Sequence, residues 1–562
     1  MDRNPEWIFK RWETAQADRA FSETTWDDIA SVIHPARIGF VSASPAGSGV
    51  MDNIFDNTPM VARRSLANAI GSMLRPDGNL FSEIKPEDDA LANDEQVAFW
   101  LSEVCKKRLM RQLDSPATRY HQAMGEADDD IVTFGWSTVY SSEAYKLNRL
   151  NFRCMHPKDV WIAVNSENRI DTVFRREKMT ARQAAQFFKL KPKSKLDERA
   201  RKLLDDNKPD DTVYYLNVVM PNDDIETPIS KPVVSLWYAI DGKELVAEEG
   251  YFEMPYSVAR WGTQSGQLYG SDQPGLIAVP DSNVLQAQGE TMLTAAQRAA
   301  DPTIMAPNDS MVQAKDLIPG GLATYDAELA KEMGGNPVYA LDTRMNYPLS
   351  EKVQEATRAQ VQAAFFKNVF NLPVAGPQMT AYEVAQRKEE FIREMGAVFR
   401  RLETDHTAPP IERGFMVMLR GGAFDPIPPQ IRGKNVRFEY ESPLKRMRQQ
   451  IEAVAARAWM ADIITVAQVD PGVVDAVDTE EYARFTGEAT GVPKKLVRSP
   501  EIVNARRQQK QQAMQHEQQL ATAERMAKAG RDAGTGFAAL AKAGTDAAKA
   551  GTAAPAVPGD GR

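Results

Sequence analysis

The apolar positions of residues 281–300 predict a helix with a narrow apolar face. This stretch contains no proline, follows a Gly/Ser/Pro-rich turn region at 265–280, and would be about 30 Å long at about 1.5 Å per residue. Its stripe includes Leu285, Met292 and Ala296, flanked by small residues. A helix buried in one globular core usually has a wider apolar face. The pattern favours packing against similar helices, including those of other copies of the chain; an ordinary half-exposed helix is the alternative.

A second helix of similar length is predicted at 350–370. It carries Val353, Val361 and Phe365 on one side. The intervening residues, 301–349, are broken by prolines and glycines and predict short strands and loops. Two helices joined by such a segment indicate an antiparallel helix pair, with residues 301–349 projecting from its end.

The two regions before this helix pair differ in the spacing of their apolar residues. Residues 1–132 predict helices, and 5–33 predict two of them, because Thr25–Asp28 resembles a capping box that would start the second. Residues 133–280 contain short β-branched and aromatic runs separated by turns, typical of a small antiparallel sheet, with a capped helix starting at Thr180. The strand-like runs are 137–143, 152–155, 171–174, 212–219, 233–240 and 251–258.

The remainder of the chain is predicted to be helical apart from one loop and a tail. A capping box at Thr380 starts a long helix that Pro409 and Pro410 are expected to end. The fold class predicted is therefore α+β, predominantly α. The segments are an uncharged Pro/Gly loop at 371–379, a helical region at 380–498, a helix at 499–530 and a flexible Ala/Gly-rich tail at 531–562.

Composition narrows the function classes. The 562 residues include 68 Lys plus Arg against 77 Asp plus Glu, a net charge of −9, which excludes a strongly basic nucleic-acid binder. Two cysteines exclude a disulfide framework and a cysteine-rich metal site. The first residues do not resemble a signal peptide, and no apolar run reaches the ~20 residues that span a bilayer. We expect a soluble, cytoplasmic protein without a membrane partner.

Catalytic motifs are missing from the sequence. It contains no phosphate-binding loop, dinucleotide fingerprint, zinc-protease motif or EF-hand, and its five histidines lie far apart. Asp128, Asp129 and Asp130 are consecutive, so their carboxylates would point around a helix and favour a solvated helix end over a cation site. We expect no enzymatic activity, no metal and no cofactor.

Several segments, in this order, resemble the portal (head-to-tail connector) proteins of short-tailed bacteriophages. The most distinctive is MPYSVARWGTQSGQLYGSDQPGLIAVPDSNVLQAQ, followed by ADPTIMAP. The others are IFDNTPMVARRSLANAIGSML, MHPKDVWIAV, VFRREKMTARQAAQFF, MTAYEVAQRKEEFIREMGAVFRRLETD and FEYESPLKRMRQQ.

This resemblance implies a homo-oligomeric ring, typically of twelve subunits, at one capsid vertex. Double-stranded DNA would pass through the ring during packaging and ejection. The implied partners are the terminase, capsid and scaffolding proteins and tail adaptor proteins, with the ring assembled in the host cytoplasm and retained in the virion. The implied parts are a wing (1–132 and 133–280), stem helices (281–300 and 350–370), a clip (301–349), a tunnel loop (371–379), a wing helix (380–405) within the C-terminal helical region 380–498, and a crown helix (499–530).

The same resemblance assigns roles to individual residues. Channel-lining positions would be Lys352, Arg358, Lys367, Asn371 and Gln378. Subunit-packing positions of the stem would be Leu285, Met292, Ala296, Val361 and Phe365. Few positive charges suit a channel, because each neutralised phosphate adds affinity through counterion release.

Two other functions compete with this one. The first is a helical scaffold or tail-adaptor protein without a DNA channel. The second is a nuclease or NTPase of the packaging motor, against which the missing phosphate loop and metal cluster count.

Overall fold

The computed structural model describes residues 4–41, 53–76, 82–88, 91, 94–144, 149–191, 194–222, 231–300, 304–305, 328, 332, 339–340, 347–367, 393–440, 443–467, 472, 477–489, 503, 506, 508–510, 512, 514 and 522. Two compact units, residues 1–447 and 448–562, divide the chain. The described residues are mainly helical with antiparallel sheets, which confirms the predicted α+β class.

Most of the predicted helices are present, with shifted bounds. They are α1 (Pro5–Ile33), α2 (Thr58–Leu74), α3 (Glu95–Phe99), α4 (Lys107–Leu113), α5 (Tyr120–Phe134), α6 (Ala181–Lys189), α7 (Glu198–Asp205), α8 (Pro274–Ala300), α9 (Tyr347–Ala364), α10 (393–402), α11 (Ala408–Arg420), α12 (Pro443–Ala467) and α13 (Thr479–Ala489). π-Helical segments at Trp100–Lys106 and Glu403–Thr407 connect α3 to α4 and α10 to α11. The predicted capping box of α6 is formed by Thr180 and Gln183.

α1 is a single helix, so the prediction of two helices over 5–33 was wrong. Asp27, expected to help start a second helix, instead accepts hydrogen bonds from the backbone N–H groups of Gly39 (3.0 Å), Phe40 (2.8 Å) and Val41 (2.9 Å). Trp26 is buried in the core beside it. The Asp27 carboxylate therefore binds the backbone N–H groups of residues 39–41, which follow α1, and α1 continues past Asp27.

Residues 133–280 form two sheets where one was predicted. One has the order β4-β5-β6-β7-β8 and the other the order β3-β2-β9, all antiparallel. The predicted run 251–258 spans the end of one strand and the start of another, and β4 was not predicted. The strands are β1 (Ser82–Pro86), β2 (Trp136–Ala144), β3 (Arg149–Met155), β4 (Val160–Val164), β5 (Ile170–Thr180), β6 (Thr212–Pro221), β7 (Val233–Ala239), β8 (Glu244–Tyr251), β9 (Tyr256–Arg260), β10 (Ile304–Met305), β11 (Tyr339–Ala340) and β12 (Val436–Tyr440).

The two helices that flank residues 301–349 differ from their predicted bounds. α8 begins at Pro274 and continues through Pro280, an interior proline that removes one helical hydrogen bond. α9 ends at Ala364, and Phe366 adopts a left-handed φ of 55° just beyond it. Between the two helices, β10 pairs with β11, in agreement with the predicted short strands.

Helical structure continues across Pro409 and Pro410, where the sequence predicted a helix end. The prolines occupy the first positions of α11, and the π-helical segment precedes them. Pro409 cannot donate to the carbonyl of Asp405, four residues earlier. That carbonyl instead accepts a hydrogen bond from Ser257 Oγ at 2.9 Å. A side chain from β9 thus replaces the missing backbone bond.

Candidate functional site: a helix pair and the segment bound across it

α8 and α9 pack against each other and each buries one face. On α9 the buried residues recur at helical spacing, and Val361 and Phe365 belong to the same hydrophobic core as Leu285 of α8. This core also includes residues of α1, α2, α5 and α10. The helix pair is therefore anchored in the first unit along one side.

The segment preceding α2 is bound across this pair by Gln286, which is 8% exposed. Its Oε1 accepts hydrogen bonds from the backbone N–H groups of Phe55 (2.7 Å) and Asp56 (2.9 Å), and its Nε2 donates to the carbonyl of Asp56 (2.8 Å). Gly289 permits the close approach, since a Cβ there would lie 2.8 Å from Phe55 Cβ. One amide side chain thus satisfies three backbone groups of the bound segment.

An ion pair connects the same segment to α9. Arg358 Nε donates to Asp56 Oδ2 at 2.8 Å, and Asp56 Oδ1 accepts from the backbone N–H of Thr58 at 2.8 Å. Burial of Asp56 would raise its pKa, but the hydrogen bonds from Thr58 and Arg358 outweigh burial and hold the pKa below its usual value. Asp56 is therefore a charged bridge between the start of α2 and the middle of α9.

The predicted subunit-packing residues fall into two groups. Leu285, Val361 and Phe365 are 0%, 0% and 1% exposed within a single chain, so they cannot bury further surface against a neighbouring copy. For these three, direct contact between subunits was the wrong expectation, because they form the subunit's own core. Met292 is half-buried and Ala296 is exposed, so their role in subunit packing stays a prediction.

The predicted channel-lining residues also differ in their solvent exposure and ion pairing. Lys352 is exposed and Lys367 is half-buried. Arg358 is half-exposed, and its charge is paired with Asp56. Asn371 and Gln378 lie outside the residues that the structure describes. No common surface is established for these five residues.

Sequence reasoning missed an apolar surface on the outer side of the pair. Ile277 and Val284 are 54% and 49% exposed and lie seven residues apart on α8. On α9, Val353 is 47% exposed, so it does not share the buried side of Val361 and Phe365 on which the sequence placed it. The seven-residue spacing was available as a signal, but the predicted helix began at residue 281 and excluded Ile277.

A fully buried carboxylate lies elsewhere in this unit. Asp128 of α5 is 2% exposed and forms an ion pair with Arg75 and a 2.9 Å contact with His406 Nε2 of the π-helical segment before α11. Burial lowers the pKa of His406 despite its proximity to Asp128, so its imidazole is neutral at pH 7. This cluster connects α2, α5 and the Glu403–Thr407 segment.

The prediction of a solvated end for the three consecutive aspartates was wrong. Asp130 is 0% exposed, lies 3.2 Å from Arg37, and has its pKa raised to about 7 by burial. Asp129 lies 3.8 Å from Arg63. The carboxylates do point around the helix, as predicted, but the surrounding elements provide a separate cation for each.

Metal-binding clusters and membrane-spanning helices are both absent from the part of the chain that the structure describes. Among those residues, no group of three or more His, Cys, Asp or Glu side chains is arranged to hold a metal ion. None of the described helices is both long and apolar enough to span a membrane.

Comparisons with known proteins match nearly the whole chain. The probable portal protein of Bordetella phage BPP-1 is 25% identical over 529 residues, covering 92% of this chain and 92% of the relative. The portal protein of Salmonella phage epsilon15 is 23% identical over 527 residues, covering 92% and 93%.

Similar solved structures include the neck of an empty gene transfer agent particle computed with C6 symmetry. Its TM-score is 0.35 at 9% identity, covering 79% of this chain and 94% of that one. A virion of a native gene transfer agent particle gives 0.34 at 9% identity, covering 74% and 90%. The family model described as bacteriophage head to tail connecting protein matches residues 6–497. The chain therefore belongs to the bacteriophage head to tail connecting protein family.

Proposed function

We propose that this chain is the subunit of a portal, a homo-oligomeric ring at one capsid vertex through which double-stranded DNA enters and leaves the capsid. The observation that carries the proposal is the family match across residues 6–497. It is supported by two relatives named as portal proteins, each matched over more than nine-tenths of both chains.

The outer surface of the helix pair supports assembly into a ring. Ile277 and Val284 expose apolar surface on α8, and Val353 exposes apolar surface on α9. Contact between the α8 surface of one copy and the α9 surface of the next would be head-to-tail, and such contacts form closed rings when the rotation permits. Met292 and Ala296 would extend this contact, and twelve copies are expected.

The proposed parts follow the resemblance. α8 and α9 would be the stem and the residues between them the clip. The wing would combine the regions before α8 with a wing helix at 380–405, in the C-terminal helical region 380–498. Residues 371–379 would be the tunnel loop and 499–530 the crown. Lys352, Lys367, Asn371 and Gln378 remain proposed channel residues. Arg358 would contribute less net charge to the channel, because Asp56 compensates it.

The partners and setting also belong to this proposal. The ring would serve as a platform for the terminase, bind capsid or scaffolding proteins at the wing and tail adaptors at the clip, assemble in the host cytoplasm and remain in the virion. We expect neither ATP hydrolysis nor DNA cleavage from the purified ring, since the sequence lacks a phosphate-binding loop.

Native mass spectrometry and end-on electron microscopy test the ring. The wild type should form closed rings with a central hole wide enough for duplex DNA. Val284→Glu should prevent ring closure, because it places a charge in the apolar contact, whereas Asn283→Glu, at the adjacent exposed position, should assemble normally. Assembly without a central hole would favour the scaffold or tail-adaptor alternative, and monomers under all conditions would contradict both.

Deletion of residues 374–377 tests the tunnel loop. Rings should still form, but packaging or retention of DNA should fail. Wild-type levels of packaged DNA in the deletion variant would show that 371–379 only connects two helices.

A further inference from the structure

A charged cleft of about 740 Å³ opens between the two sheets of the first unit. Tyr140 and Ser142 of β2 and Asn151 of β3 line one wall, and Glu177 of β5 and Glu249 of β8 line the opposite wall. Residues of α6 and α11 also line it. The size is within the range of sites that hold a ligand or a short peptide segment.

Among the described residues of this cleft, cations outnumber carboxylates. The described carboxylates that line it are those of Glu177 and Glu249. A third, Glu253, pairs with two of the lining cations. The lining cations are Arg153, Arg175, Lys191, Lys231, Arg413 and Arg420.

Two of the three carboxylates are shared between two guanidinium groups. Glu177 lies 3.2 Å from Arg153 and 3.2 Å from Arg175, which is 3% exposed. Glu253 lies 3.4 Å from Arg413 and accepts a 2.8 Å hydrogen bond from Arg420. Each shared carboxylate leaves one positive charge uncompensated. This local excess is notable in a chain whose net charge is −9.

Lys231 adds to this excess at the rim. It is exposed, and its Nζ donates to the carbonyl of Gly250 at 2.9 Å, an uncharged acceptor. Lys231 and Arg420 both lie over the ring of Phe252, at 5.3 and 4.9 Å from its centroid. Phe252 is 51% exposed, but with two cations over it the ring is a poor platform for stacking a nucleic-acid base.

We propose that this cleft binds an acidic peptide segment of a partner protein. Carboxylates are the groups that these guanidinium pairs already hold, and guanidinium groups bind them with directional, charge-assisted hydrogen bonds. Glu249 Oε1 is buried without a hydrogen-bond partner, which leaves one acceptor for a backbone N–H of the bound segment. The inference concerns a site apart from the proposed channel and does not depend on ring formation.

Fluorescence anisotropy on the full-length protein tests the proposal with a labelled glutamate-rich peptide. The same peptide with every Glu replaced by Gln is the ligand control. The glutamate peptide should bind, and its affinity should fall as salt rises because salt screens exposed charges. Lys231→Glu should weaken binding about fivefold, equivalent to about 1 kcal/mol at an exposed charge. Lys202→Glu, an exposed reversal outside the cleft, should leave the affinity unchanged.

Three outcomes would overturn the proposal. Equal affinity for the glutamate and glutamine peptides would exclude recognition of carboxylates. Equal weakening by Lys231→Glu and Lys202→Glu would show attraction to the whole surface instead of to the cleft. Tighter binding of a single-stranded oligonucleotide of the same charge, or displacement of the peptide by inorganic phosphate at equal concentration, would assign the cleft to phosphate.

Discussion

Asp56 and Asp128 each connect distant parts of the chain through an arginine, but in different surroundings. Asp128 and its partners Arg75 and His406 are 1–4% exposed as side chains. The side chain of Asp56 is 5% exposed, whereas that of Arg358 is 41% exposed. Removing one member of a fully buried group leaves the other members without a partner and out of contact with water. An exposed arginine that loses its partner can be hydrated instead. Burial of the partner, more than the number of contacts, should therefore determine how strongly each bridge matters.

The largest effect is expected from Asp128→Ala. It leaves Arg75 and His406 buried without their acceptor, and we expect a loss of about 3–5 kcal/mol in the free energy of unfolding. Urea unfolding followed by tryptophan fluorescence measures it, because eight of the nine tryptophans precede residue 448. Glu126→Ala, at an exposed position of the same helix, is the control and should cost about 0.5 kcal/mol or less. Equal losses would refute the role of burial.

A smaller loss is expected from Gln286→Ala, about 2 kcal/mol, because it leaves the N–H groups of Phe55 and Asp56 without acceptors. Hydrogen exchange at these two amides should accelerate while exchange in the middle of α5 stays slow. Asn283→Ala, at an exposed position of α8, should change neither stability nor exchange. Unchanged protection of Phe55 and Asp56 in Gln286→Ala would mean that Asp56 and Arg358 alone hold the segment.

The pH dependence of stability tests the buried histidine of the Asp128 cluster. Burial lowers the pKa of His406, so its contribution is fully present above about pH 6.5, the unfolded value, and is lost as the pH falls and the unfolded chain binds a proton. His406→Gln should make stability less sensitive to acid as the pH falls below about 6.5. A wild-type slope in His406→Gln would contradict the assignment.

The smallest effect is expected from Arg358→Ala, about 1 kcal/mol or less, because removing this half-exposed side chain opens Asp56 to water and the N–H of Thr58 still donates to the carboxylate. Lys352→Ala on the same helix should change the free energy of unfolding by less than about 0.5 kcal/mol. Thermal or urea unfolding measures the free energy of unfolding of both variants. If Arg358→Ala cost as much as Asp128→Ala, exposure would not explain the difference between the two bridges.

The sequence was sufficient for features that depend on neighbouring residues. The capping box at Thr180 and the helix pair of α8 and α9 follow from local spacing, and the structure contains both. The Asp128 cluster could not be predicted in the same way, because His406 lies 278 positions away in the chain. Consecutive aspartates indicate that their side chains diverge, but not what lies opposite each one.

The helix end predicted at Pro409 was wrong for a related reason. The prediction considered only the sequence around Pro409, whereas Ser257 donates to the carbonyl that proline leaves without a donor. The partner for that carbonyl comes from β9, so only the tertiary structure reveals that the helix can continue. The channel residues remain predictions, since two of them lie outside the described residues and the others depend on the arrangement of several subunits.

The ladder of β1 and β12 has a consequence for the order of events during synthesis. Lys85 and Glu439, whose side chains form an ion pair across it, are 354 positions apart. At a translation rate of about 5–20 residues per second, β1 waits about 20–70 s for its partner strand to be made. During that time its edge is available to other strands, which is a known route to aggregation. A nascent chain therefore cannot complete this part of the fold before residue 440 has been made, and the wait favours protection of β1 by a chaperone.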